Sequence, residues 1–399
     1  MKAKVIGIGA AGNKAAITLI EREVVGRTDV MLLNSTLKDI PYEYNDIAVQ
    51  LTNSTGGCGK ERDLAKTLAL DTIKDNTNLF DGFLDPDDDM VIIVNSSEGG
   101  TGCGASVVIA KYFKEVLDTN VHLFVFTGFE DDGRGLQNTV EYFQEITDLY
   151  TVQAISNKKF LEEAGNKLKA EKMANEAFAM KVKILLGQII IDSEQNIDET
   201  DLYKLSTTPG YMMIEFTTLD KIKNVESFNK VMTSLIDNSK SLDISEPSAK
   251  RLGLIFNIAD STADNVDFSG EVIRKKLGFP YEYYQHIQSV GDTEYVAFIA
   301  SGMNMPIDEI KAVFEKYKEA SSKVNKKKDD FFGIISDLRG NHEDAMFNMD
   351  IKPAKKAGTN SDKKAFFESF GVESPDALSK FQNTKVKKVD PEEELITKY

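Results

Sequence analysis

The sequence has no tryptophan, only three histidines, two cysteines and nine prolines among 399 residues. Two cysteines are too few to staple a chain of this length, so stability must come from a packed core. Cys58 and Cys103 both fall in glycine-rich stretches. That placement suits small loop residues in a reducing compartment, with a disulfide between them as the alternative. No apolar run reaches the roughly 18–20 residues that a membrane-spanning helix needs. The first residues enter a strand pattern directly, Ala3-Lys4-Val5-Ile6, with no secretory apolar region, and the expectation is a cytoplasmic protein without a membrane partner. Positive charge is also in deficit, with 48 Lys and Arg against 64 Asp and Glu for a net of −16. A body of that sign is poorly suited to direct, specific binding of nucleic acid.

What the chain does have is a hydrophobic content of 41% and a charged content of 28%, the balance of a globular protein with room for two domains and a tail. The tail differs in charge. Residues Ile351 to Tyr399 hold 10 Lys and 8 Asp or Glu, a net of +2, so the 350 residues before them carry −18. Pro353, Gly358, Pro375 and Pro391 interrupt this segment, which predicts a tail with one short helix around Lys363–Phe370.

Two glycine-rich strings dominate the first hundred residues: Gly7-Ile8-Gly9-Ala10-Ala11-Gly12-Asn13 and Glu98-Gly99-Gly100-Thr101-Gly102-Cys103-Gly104. Each follows an apolar, strand-like run and precedes a helical pattern. Glycine lets the backbone approach an anion closely, and a helix N-terminus offers unpaired N–H groups. Together they predict one phosphate site built from two strand-to-helix turns.

The surrounding periodicity alternates. Strands are expected at 2–8, 29–34, 90–95, 121–127 and 152–156, and helices at 13–23, 60–75, 105–117 and 137–150. This order implies a parallel sheet covered on both faces, with its ligand at the carboxyl ends of the strands. A helical stretch of about 30 residues, Phe160 to Ile191, follows, about 45 Å long at 1.5 Å per residue, with Gly165 and Asn166 as a possible break near its start. A second α/β unit then places strands at 211–217, 251–258 and 295–300 and helices at 225–237 and 307–320. Residues 321–330, with Lys326-Lys327-Lys328, read as a surface connection.

Gly7 to Gly12 fits the G-x-G-x-x-G dinucleotide fingerprint, but the second strand ends in Asn34, Ser35 and Thr36 where a ribose-binding acid belongs. A simple dinucleotide site also has no place for a second glycine loop. His122, His286 and His342 do not gather near the first loop in sequence. No G-x-x-x-x-G-K-[ST] string is present, which excludes a P-loop.

The second loop resembles the G-G-G-T-G-[ST]-G signature of the tubulin/FtsZ superfamily, with Glu98 in place of its first glycine. Asn196-Ile197-Asp198-Glu199-Thr200-Asp201 matches the N-x-D-x-x-D loop of prokaryotic members. The two strings stand in the right order with a long helix between them, and the likeness runs from about Lys2 to Ala320. The implied fold is α/β and tubulin-like. Its parts would be a Rossmann-like GTPase domain with a mainly parallel sheet (1–160), a long central helix (161–192), a smaller second α/β domain (193–338) and a C-terminal helix and tail (339–399). The implied ligands are GTP or GDP with Mg²⁺, with no dedicated protein metal site.

Carried over residue by residue, the resemblance gives Gly9, Ala10, Gly12 and Asn13 as the first phosphate loop, with Asn34 at the end of the second strand. Gly57 and Gly59, within Asn53–Gly59, would belong to a loop that senses the γ-phosphate, and Gly99, Gly100, Thr101, Gly102, Cys103 and Gly104 to the signature loop. Phe129-Glu130 with Arg134 resembles the F-E-x-x-x-R string whose acid and arginine hold the ribose and nearby phosphate. Asn157 would meet the ribose or base edge, and Asn175 would read guanine. Alone, Asn175 is an ordinary polar helix residue and Glu130–Arg134 a surface ion pair.

Asn196, Asp198 and Asp201 carry the catalytic expectation. In the superfamily this acidic loop completes the nucleotide site of the next subunit. The implied partner is therefore a second copy stacked head to tail, with hydrolysis following assembly. Without the family, Asp198 and Asp201 equally suit an acidic helix cap. The C-terminal residues lack the Pro-x-Phe-Leu adaptor string of FtsZ. They carry Lys385, Lys387 and Lys388 before Glu392-Glu393-Glu394, either a solvated tail or a docking segment for a DNA-bound adaptor. A divergent body with such a tail looks most like TubZ, the plasmid- and phage-borne branch that segregates DNA; FtsZ-like cell division and a non-polymerising nucleotide-binding regulator are the alternatives.

Overall fold

The computed structural model describes residues 1–322 and 360–371, apart from residues 55, 77, 147–149, 192, 194, 195 and 245–247. Its first half alternates strand and helix: β1 (Ala3–Ile8), α1 (Gly9–Glu21), β2 (Val30–Asn34), β3 (Ala48–Gln50), α2 (Arg62–Asp75), β4 (Met90–Ser96), α3 (Thr101–Glu115), β5 (Val121–Thr127), α4 (Gly133–Glu145) and β6 (Thr151–Ser156). These six strands pair in parallel in the order β3-β2-β1-β4-β5-β6. Their apolar runs bury both faces. Ile6, Ile8, Ile93, Leu123 and Val125 pack on the side of α2 and α3, and Val5, Leu32, Ile92, Val94, Phe124 and Phe126 on the side of α1 and α6.

Two helices, α5 (Asn157–Ala164) and α6 (Lys167–Leu185), occupy the stretch expected as one long helix. Gly165 caps α5 in the left-handed region at φ +76°, and the Asn166 side chain accepts from the Lys169 N–H to start α6. The expected break is thus complete, and α6 is 19 residues, about 28 Å. Its buried face meets Phe124 and Phe126 through Phe178.

The second half comprises α7 (Glu199–Thr207), β7 (Gly210–Thr218), α8 (Val225–Asp237), β8 (Arg251–Asn257), α9 (Glu271–Lys276), β9 (Glu282–Gln288), β10 (Tyr295–Met303) and α10 (Ile307–Ser322). β7 continues the sheet from the first residues of β6, and β10, β8 and β9 follow it in that order. β10 is antiparallel to both neighbours. A buried ion pair, Lys181 to Glu215 at 2.9 Å, ties α6 to β7, and Glu215 also accepts from Ser241. From β10 the chain returns across the first half, where α10 packs on α4.

The short tail helix is α11 (Asn360–Ser369). Phe366 and Phe367 are buried, Phe366 edge-on to Tyr112 of α3 at 5.2 Å, and Lys363 pairs with Asp81 at 2.6 Å. The triple lysine at 326–328 and the charged residues from Lys385 onward lie outside the described residues.

Candidate functional site

β1 and β4 are neighbours, and the sheet order reverses between them, so their carboxyl ends open a crevice. Both glycine strings lead out of it. Each is shorter as a loop than expected, because α1 already begins at Gly9 and α3 at Thr101. Side-chain caps are distributed unevenly over the helices. Each of α4 to α8 has a side-chain cap, from Asp132, Ser156, Asn166, Asp198 and Asn224 in turn. No side chain caps α1, α2 or α3, nor the six-residue α9 of the second half. At α1, α2 and α3 the first-turn N–H groups and the positive ends of the dipoles are left for another acceptor, which is how a helix N-terminus receives an anion.

The glycines divide into two groups. Gly12 packs on β4, where a β-carbon would fall 2.1 Å from the Val94 oxygen, and Gly104 packs on α2, where one would fall 2.3 Å from the Arg62 oxygen. Gly99, Gly56 and Gly57 face open space, with no atom within 4 Å of a β-carbon. The first group is explained by packing alone. The second is not required by packing and leaves room for an approach to the loops from outside.

The side chains expected around the crevice take varied roles. Asn34 accepts from the Ser35 N–H at 2.9 Å, and the Ser35 hydroxyl lies 2.9 Å from that of Thr101, so the residue after β2 meets the first residue of α3. Asn13 lies beneath the first loop, buried, and donates to the Leu33 oxygen at 3.2 Å. Cys103 was expected as a loop residue. It lies in the first turn of α3 with its side chain turned inward against Arg62, 3.1 Å from Nε, and burial pushes its thiol up to about 12. Both cysteines are free. Gly59 and Lys60 both adopt left-handed backbone, at φ +55° and +65°.

Glu98 turns away from the crevice. Its carboxylate accepts from the Glu130 N–H at 2.9 Å and fills the space left by Gly128, where a β-carbon would sit 1.7 Å from it. Burial, with Asp131 and Asp132 nearby, holds this carboxyl above the usual range. These three carboxylates lie within 4.8 Å of one another, but each has a partner already: Asp131 pairs with Lys167, and Asp132 pairs with Lys60 and caps α4. Glu130 itself pairs with Lys158 at 3.3 Å and with Lys316 of α10. Arg134 pairs with Glu61 at 2.7 Å, across the crevice rim. Asn157 is buried in the first turn of α5 with its Oδ1 unpartnered. Asn175 is half-buried on α6, one turn beyond Glu171, which pairs with Lys14 of α1 at 3.6 Å.

Asn196, Asp198 and Asp201 are not brought to this crevice. Their segment joins α6 to α7 at the opposite end of the sheet. There Leu186 accepts from the Met1 amino group, Tyr203 from Asn120 at the start of β5, and Thr208 from Thr151 at the start of β6. The length of β1 alone, six residues, separates the two ends by about 20 Å at 3.3 Å per residue. Asp198 is the N-cap of α7, its Oδ1 accepting from the Asp201 N–H at 2.8 Å, and Asn196 accepts from the Ser193 N–H at 2.8 Å. Asp198 is exposed. Burial, and then the charge of Asp198, hold the Asp201 carboxyl above the ordinary aspartate range.

Sequence reasoning passed over Asn138. It sits in α4, fully buried, with its amide nitrogen 3.0 Å from the Lys60 oxygen and 3.1 Å from the Glu98 oxygen. No motif marks it; only the folded loops reveal what it holds.

No protein-family model matches the sequence. The chain is 26% identical to the cell division protein FtsZ of Mycoplasmopsis pulmonis over 315 residues, 75% of this chain and 77% of that protein. It is 26% identical to FtsZ 2 of Pyrococcus furiosus, with 68% of each chain covered. Among solved structures, the GDP-bound monomer of CetZ1 from Haloferax volcanii superposes with a TM-score of 0.62 at 19% identity, covering 80% of this chain and all of that one. A protofilament of Bacillus thuringiensis serovar israelensis TubZ in its GTPγS form gives 0.65 at 17% identity, covering 81% and 93%. The fold is that of tubulin and FtsZ, and the FtsZ similarity supports the wider superfamily; neither singles out the TubZ branch.

Proposed function

We propose that this chain binds GTP at the crevice between β1 and β4 and hydrolyses it on stacking head to tail into filaments. The observation that carries the reading is the separation of two chemically incomplete halves. One end of the sheet has uncapped helix N-termini suited to a polyanion, and its carboxylates Glu98, Glu130, Asp131 and Asp132 are held by protein partners. The other end has Asp198 and Asp201, with no glycine-rich phosphate loop beside them among the described residues. Within one chain the halves are a strand length apart. Stacking end to end joins them, and a contact that does not close produces a filament.

In this reading the phosphates lie against the N–H groups that begin α1 and α3, with the Thr101 hydroxyl beside them. The accompanying Mg²⁺ neutralises phosphate charge and keeps mainly water and phosphate oxygens as ligands. Asn175 reads the guanine edge, with Asn157 nearby. Asp201, assisted by Asp198, orients the attacking water in the neighbour's site. Glu130 and Arg134 have protein partners here, Lys158 and Lys316 for the first and Glu61 for the second, so holding the ribose would draw on groups already in ion pairs.

The mixed-charge tail supports segregation of plasmid or phage DNA through a DNA-bound adaptor. The similarity to FtsZ supports division as a second reading. Sedimentation with GTP against GDP tests the common part. Assembly with GTP and its loss with GDP are expected, and a protein that stays in the supernatant with both would refute filament formation. Capture of an adaptor–DNA complex by the polymer separates the two roles.

A further inference from the structure

We propose that Asn138 is a positioning residue for the phosphate crevice. Its amide draws in the carbonyls of Lys60, Glu98 and Gly99 and so turns the N–H groups of Gly99 and Gly100 outward to receive the anion. The inference rests on the nucleotide reading above and assigns a part to a residue outside every motif.

The Asn138 Nδ2 lies 3.0, 3.1 and 3.4 Å from the oxygens of Lys60, Glu98 and Gly99. Three carbonyl acceptors around one atom fix which end of the amide is nitrogen. Its other end, Oδ1, is buried and has no partner. An unpaired buried acceptor costs about 1–3 kcal/mol, so an asparagine held in this place is held for its donors. The peptide geometry supplies the consequence. No peptide bond among the described residues is cis, and in a trans peptide the carbonyl and the following N–H point in opposite directions. With the Glu98 and Gly99 carbonyls directed at Asn138, the N–H groups of Gly99 and Gly100 point away from it. Neither meets an acceptor among the described residues. A turn with unpaired, outward N–H groups, next to the uncapped start of α3, is an anion-binding nest.

The grip on Lys60 has a second effect. Lys60 is a non-glycine residue at φ +65°, an uncommon conformation that the surroundings must enforce. Asn138 holds its carbonyl while Asp132 holds its ammonium group. The loop through Gly59 is thereby pinned to the signature loop. A β-carbon at Gly100 would lie 2.8 Å from the Lys60 Cα, so the two backbones pack directly together.

The test compares Asn138→Ala with the parent on four probes: GTP, GDP, guanosine and pyrophosphate. Affinity for GTP and GDP should fall about 10- to 100-fold, the scale of one or two hydrogen bonds to a charged group. Guanosine binding should change less than threefold, because it engages no phosphate contact. Equal losses for guanosine and the nucleotides would mean that Asn138 only supports the fold, and undiminished nucleotide binding would also overturn the proposal. Where Asn138→Ala does not fold, Asn138→Ser, with one short donor, is expected to act in the same direction. A parent that binds pyrophosphate but shows no guanine nucleotide binding would sink the guanine reading and leave the pyrophosphate loss to decide on Asn138. A parent that binds none of the four would overturn both.

Discussion

Gly9 and Gly102 meet backbone to backbone: a β-carbon at Gly9 would lie 2.8 Å from the Gly102 nitrogen, and one at Gly102 would lie 2.9 Å from the Ile8 oxygen. The two helix starts that frame the crevice are therefore locked to each other. Gly9 also lies at φ +74°, where an L side chain is strained. Gly9→Ala and Gly102→Ala should each cost about 1–3 kcal/mol, as overpacked sites do. Gly99→Ala meets open space, so it should leave the denaturation midpoint within error and lower nucleotide affinity alone. Chemical denaturation alongside nucleotide titration checks both halves.

Asp198 serves as a helix cap whatever else it does, and the two roles separate by substitution. Asp198→Ala should cost about 0.5–2 kcal/mol of stability through the lost cap. Asp198→Asn keeps a good capping side chain and removes the charge. It should fold as the parent does, bind GTP and hydrolyse it more slowly. Asp201→Ala should also bind GTP and assemble, with hydrolysis reduced about 10²- to 10⁴-fold, the usual cost of losing a group that directs a proton or water. Phosphate release measured per subunit should rise with protein concentration in the parent. A concentration-independent rate would place catalysis within one chain.

Hydrolysis should depend on pH through Asp201. Its carboxyl is held above the ordinary 3.8 by burial and then by Asp198. An ionised Asp201 is the form that can accept a hydrogen bond from water. Acidification protonates it above the ordinary aspartate range, so activity should begin to fall there. The acid limb, read on filaments assembled beforehand at neutral pH, should therefore lie above pH 3.8. Asp201→Asn should abolish that limb.

Guanine selection is assigned to Asn175, which is half-buried on α6. Asn175→Ala should weaken GTP by about tenfold, the loss of roughly one net hydrogen bond, and leave the circular dichroism of the protein unchanged. Equal affinity of the parent for ATP and GTP would refute the assignment.

Deletion of Lys385–Tyr399 should leave GTP-driven sedimentation intact and weaken capture of adaptor-bound DNA. Phe366 and Phe367 of α11 lie outside the deleted segment, so their packing on α3 is kept. Undiminished capture by the shortened chain would end the adaptor hypothesis.

Much of the fold was legible because buried parallel strands write themselves as apolar runs. β5 was read to the residue, and β4 and β6 to within one. The glycine strings misled at their edges. Glycine is a poor helix former, so the starts of α1 and α3 were read as loop, whereas tight packing on β4 and α2 is what demands glycine there. β9 was missed because Glu282-Tyr283-Tyr284-Gln285-His286-Ile287-Gln288 is polar and lies at the sheet edge, largely half-buried. β3 is three residues long, too short for any period. The two glycine strings lead out of the crevice as expected, yet the partners held by Glu130 and Arg134 depend on α5, on α10 and on Glu61, which no string records. Asn138 is the same case: three carbonyls distant in sequence define it.

The placement of the two half-sites at opposite ends of the sheet has an arithmetical consequence. If each complete site spans a junction, a row of subunits always holds one fewer complete site than it has members. The terminal subunit whose crevice faces outward keeps its nucleotide intact until another arrives. Such a row ages from its interior, and its two tips are chemically unlike. The ratio of unspent to spent nucleotide then reports how many ends a population has, and severing one row in the middle stops a single hydrolytic centre.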